Sequence, residues 1–113
     1  MPAKIRKYAM ICLFTLAGCS DTLHLPTEHD LALAPVNGNN MDIESLDNGY
    51  NLYVNKCGSC HYLYRPTRFS EEKWKMEVPK MAGKAKLSQE QQELVLQYLL
   101  TMREAELAEN TSK

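Results

Sequence analysis

Apolar residues recur at helical spacing in three stretches of the chain, and nowhere do they alternate as a half-buried strand would. Leu46, Tyr50, Tyr53, Val54 and Cys57 share one face of a helix expected to start near Ile43, with Ser45 or Asp47 as its cap. Gly49 falls inside that helix, where glycine costs ~1 kcal/mol relative to alanine. Its placement leads one to expect a second backbone crossing nearby, a loose helix start being the blander account. A second helix is expected from Ser70, with Glu71 and Glu72 in the first turn, and Pro79 is expected to break or kink it. The third has the clearest signal. Ser88-Gln89-Glu90-Gln91 has the form of a capping box, and Leu94, Val95, Tyr98, Leu99 and Met102 follow on one stripe. The pattern predicts a small all-α domain of three helices over residues 43–110.

Between residues 20 and 41 the pattern lapses. Pro26, Pro35 and Asn37-Gly38-Asn39-Asn40 interrupt it, so this stretch is read as a flexible tether, with His24 and His29 solvated. Further back, Lys4, Arg6 and Lys7 precede an apolar run from Tyr8 to Ala17. That run is shorter than the ~20 residues needed to cross a bilayer, but it suits a signal peptide. Leu16-Ala17-Gly18-Cys19 resembles the lipobox of bacterial lipoproteins, which implies cleavage before Cys19 and a diacylglycerol on its thiol; an ordinary secretory signal or an uncleaved anchor are the alternatives. The expected plan is a signal over 1–18, a lipidated tether over 19–42 and a folded domain over 43–110. Ser20 resembles the residue that sorts such lipoproteins to the outer membrane, so a lipid-anchored, periplasm-facing place in a bacterial envelope is expected, the outer membrane favoured. Cleavage leaves 95 residues (113 − 18) and shifts the formal charge from −1 to −4, because three basic and no acidic residues leave with the signal. Nothing in that charge draws the chain to nucleic acid. Cys12 is discarded, and Cys57 and Cys60 are the cysteines left for chemistry.

Those two belong to Cys57-Gly58-Ser59-Cys60-His61. A structural zinc site wants four ligands, and this run supplies three, with His61 strained against Cys60. A redox dithiol is expected beside a βαβ pattern, which is missing. A plain Cys57–Cys60 disulfide is a further reading. Covalent haem has its own reason for this arrangement. Two thiols separated by two residues can add to the vinyl groups along one side of a porphyrin, and the next histidine is carried under the iron as an axial ligand. Domains this short bury only ~60% of their unfolded surface, and a cofactor at the centre would make up the shortfall.

The chain from Leu46 to Met102 resembles the small class I type monohaem cytochromes c. The resemblance rests on Gly49-Tyr50-x-x-Tyr53, on Cys57 to His61, and on Val95-x-x-Tyr98-Leu99. It implies an all-α fold around one covalent haem c, thioether bonds at Cys57 and Cys60, His61 as proximal iron ligand, and a crossing of the first and last helices at Gly49 against Tyr98. It also implies a distal methionine from the segment before the last helix. Met81 shares a helical face with Trp74, Val78 and Ala85, whereas Met76 points the other way and Met102 belongs to the last helix's core stripe. Met81 is the expected ligand. The family's Met-Pro loop is replaced by Met81-Ala82-Gly83-Lys84, so Lys80, Lys84 or an open position remain alternatives. The Pro66 carbonyl is a candidate acceptor for the second ring nitrogen of His61. Arg65, Arg68 and the Trp74 indole are candidate donors to the haem propionates. The function implied is one-electron carriage between envelope redox partners rather than enzymatic catalysis. The alternative is a haem-based sensor with an open distal position. Residues 65–86 hold seven basic and three acidic side chains, a bias that suits an acidic redox partner.

Overall fold

The computed structural model describes residues 23–34, 41–58 and 62–113. The signal over residues 1–18, the lipidated Cys19, and Cys60 and His61 lie outside the described residues.

Four helices carry the fold: α1 (Glu28–Leu33), α2 (Ile43–Leu52), α3 (Glu71–Ala85) and α4 (Gln89–Thr111), with no strand among the described residues. The expected all-α class is what the chain adopts. α2 starts where the apolar pattern starts, but Asp42 caps it rather than Ser45 or Asp47. The Asp42 carboxylate accepts the Ser45 N–H at 2.8 Å, which satisfies one of the donors that a helix start leaves free. The helix then widens into a π-helical turn over Tyr53–Cys57, closed by the Gly58 N–H donating to the Tyr53 carbonyl at 3.3 Å. A 3₁₀ turn follows at Pro66–Arg68.

α3 is capped by Ser70, whose hydroxyl accepts the Lys73 N–H at 3.2 Å. It runs through Pro79 to Ala85, so the expected break does not occur. Proline there removes one intrahelical bond, but Trp74, Val78 and Ala82 are buried on both sides of it and hold the two halves together. Lys86, at φ 56°, ends the helix in the left-handed conformation, and the Leu87 N–H returns to the Ala82 carbonyl at 3.0 Å. The Ser88/Gln91 capping box then starts α4 with bonds of 3.1 and 3.0 Å.

α2 packs across α4 at Gly49. A Cβ at that position would run into the Leu94 carbonyl oxygen and lie 2.7 Å from the Tyr98 Cβ. The close crossing expected from the glycine is therefore present, against the expected aromatic. Around it lies a core of Tyr53, Trp74, Val78, Val95, Tyr98, Leu99 and Met102, drawn from the π-helical turn, α3 and α4.

The tether expectation is also overturned. Part of the stretch read as a free tether is folded. Thr27 and Asp30 form a reciprocal capping box that starts α1, and α1 packs against α4. Pro26, Asp30 and Ala34 are buried at a spacing of four, and Leu23 packs against the core. His24 approaches Asp30 at 3.4 Å, although its own side chain is mostly exposed, and His29 is exposed. No helix among the described residues is long and apolar enough to cross a membrane.

Candidate functional site

Cys57 sits at the end of the π-helical turn and is 4% exposed. The wider turn carries Tyr53 and Cys57 onto the core side together. Gly58 follows directly, with no room beside it for a side chain. A Cβ there would collide with the Val54 carbonyl oxygen and crowd the Leu63 side chain at 3.3 Å.

The core cluster to which Cys57 belongs is apolar and aromatic. Tyr53 and Trp74 meet edge to face at 6.3 Å between ring centroids, Phe69 and Trp74 at 5.0 Å, and Tyr53 lies 5.9 Å from Tyr98. Burial pushes the Tyr53 and Tyr98 phenols well above their ordinary value, which keeps both neutral. The Tyr53 hydroxyl donates to the Tyr64 carbonyl at 2.7 Å, pinning the loop that follows the motif. The helical period places Tyr53 on the core face but does not reveal that partner, which lies eleven residues on in irregular chain.

Trp74 departs from its expected role. Its indole N–H donates to the Pro66 carbonyl at 2.7 Å, in a buried bond. The indole is thus withdrawn from the candidate propionate donors, and the carbonyl offered to His61 already holds one donor. A buried indole N–H without a partner is costly, and Pro66 is the acceptor that the 3₁₀ turn brings to it. Arg65 pairs with Glu106. Arg68 makes no ion pair among the described residues.

The methionines sort as expected in part. Met76 is 55% exposed, and Met102 is buried in the α4 stripe. Met81 is half-buried on α3 and packs against the cluster that holds Cys57. An open groove of about 540 Å³ between α2 and the start of α4 is lined by Asn48, Asn51, Asn55, Ser88 and Gln91, among others. Its amide-rich walls do not suit a porphyrin face, and Cys57 is not among them.

The family model described as dihaem cytochrome c matches residues 53–113, which is more than half of the chain. The chain belongs to the dihaem cytochrome c family. Neither the comparison with curated proteins nor that with solved structures gives a match. The protein is therefore a c-type cytochrome that carries covalent haem c, and its chemistry is haem-based electron transfer. The residues in place fit that group. A cysteine lies buried at a helix end, the core cluster to which it belongs is apolar and aromatic, and a thioether packs against the same cluster. The matched segment of this cytochrome begins at Tyr53, four residues before Cys57, and takes in the whole motif with α3 and α4.

Proposed function

We propose that the chain is a monohaem carrier of single electrons, lipid-anchored in a bacterial cell envelope and facing the periplasm. When bound, haem would supply one-electron chemistry at this site. Cys57 and Cys60 bind it, His61 is the proximal ligand and Met81 the distal one. One observation carries this reading: Cys57 lies buried at the end of the helix that begins as α2, and Met81 packs from α3 against the same apolar cluster. The sequence contains one C-x-x-C-H run, which supports one haem per chain within a family named for two. His61 and Met81 together would leave the iron little room for a substrate and would raise its reduction potential.

An optical spectrum tests the ligand pair. The ferric protein should show the weak red absorption of methionine–iron bonding, and Met81→Ala should abolish it while the covalent haem is retained. Rapid CO binding by untreated reduced wild-type protein would contradict Met81 and favour a sensor.

The acidic redox partner is part of the same proposal. Lys73 and Lys80 pair with Glu77, Lys75 with Glu71 and Arg65 with Glu106, which dilutes the basic bias of residues 65–86. Arg68, Lys84 and Lys86 make no ion pair among the described residues and would supply the remaining attraction. Second-order electron-transfer rates should then fall as ionic strength rises. Rates that do not change with salt contradict the patch.

A further inference from the structure

The folded strap formed by residues 23–34 changes what the lipid anchor does. Leu23 packs against the core and, with His24, lines a small crevice shared with Arg65, Pro66, Tyr98 and Glu106. Pro26, Asp30 and Ala34 continue the contact along α4. The Asp30 carboxylate accepts the Thr27 N–H at 2.9 Å and its hydroxyl at 2.7 Å, which fixes the start of α1. Residue 23 is thus already part of the folded body. Four peptide steps separate it from Cys19, and fully extended they span at most ~14 Å. A free tether over 19–42 would have allowed ~25–30 Å of random-coil reach.

We propose that residues 23–34 seat the domain against the lipid surface, with its α1/α4 side toward the bilayer. This rests on the lipoprotein reading of Cys19. The occupant of that side is the membrane holding the anchor, because the leash is shorter than the width of a domain. Leu25, 59% exposed, is the first outward-facing apolar side chain beyond the leash and lies within reach of the headgroups. The face presented to soluble partners is then set by the strap rather than sampled by tumbling.

Neutron reflectometry of the full lipidated holoprotein on a supported bilayer of phosphatidylethanolamine and phosphatidylglycerol tests this. Protein density should begin at the headgroups, with no water gap wider than ~15 Å. Inserting ten Gly/Ser residues between Asp21 and Thr22 should move the layer outward by roughly 10 Å, the random-coil length of a fourteen-step leash less that of a four-step one. Ala34→Glu, which expels α1 from α4, should do likewise while the haem absorption is unchanged. A diffuse wild-type layer that coincides with the insertion variant overturns the proposal. Mass spectrometry of the same sample separates two failures. A diffuse layer with diacylglycerol on Cys19 sinks the strap alone, whereas a chain without lipid sinks the anchor and the strap together.

Discussion

Gly49 shows how one absent side chain can fix an arrangement. The crossing brings the Leu94 carbonyl and the Tyr98 Cβ into the volume that an alanine methyl would occupy, and the first of these is backbone and cannot rotate aside. Gly49→Ala should therefore lower stability by about 1–3 kcal/mol, the usual range for overpacking, despite the better helix propensity of alanine. Denaturant unfolding of the holoprotein checks this, and an unchanged midpoint would mean that the helices do not meet there. Trp74 teaches the opposite lesson. Its burial is legible from the helical face it shares with Val78, but its N–H goes to Pro66 rather than to a propionate. A sequence shows that a buried donor needs an acceptor; the turn geometry decides which one.

At the scale of elements, the long helices are legible because caps and apolar stripes agree. Ser70 and Ser88 start α3 and α4 as expected, and α4 buries Val95, Tyr98, Leu99 and Met102 as its stripe requires. α1 escapes the pattern because a six-residue helix is too short to show a period. Its one local signal, Thr27-x-x-Asp30, has the capping-box form and outranks the prolines that suggest a loop. Pro79 does not end α3 for a related reason: its local penalty is visible in the sequence, and the burial that opposes a break is not. α1 should also respond to pH. Burial pushes the Asp30 carboxyl up, but hydrogen bonds from Thr27 and the nearby His24 outweigh this and hold it below its ordinary 3.8. A carboxylate with a lowered folded pKa stabilises the fold above 3.8, and that contribution is lost as pH falls through the lowered value. Amide exchange at Leu31 and Ala34, whose N–H groups bond to Thr27 and Asp30, should therefore accelerate below about pH 4 ahead of the α4 core. Asp30→Ala should show the faster exchange already at neutral pH. Equal protection of α1 in the wild type and in Asp30→Ala would contradict this.

At the scale of the whole molecule, the described residues form a small helical body whose buried aromatic residues share one cluster with Cys57, the one cysteine among them. That convergence, together with a family match running from Tyr53 to the last residue, is what makes it a cytochrome. The attachment motif is readable in the sequence itself, because its chemistry is written in five consecutive residues. The packing of α1 on α4, on which the proposed seating depends, is not, because no local pattern announces that contact. The most direct test of a haem-centred fold is the mass of the purified protein together with a map of its haem-bearing peptide. One haem per chain is expected, bound through thioethers to the peptide containing Cys57 and Cys60. A colourless chain with both thiols unmodified or merely joined to each other would contradict it, and so would two haems on one chain.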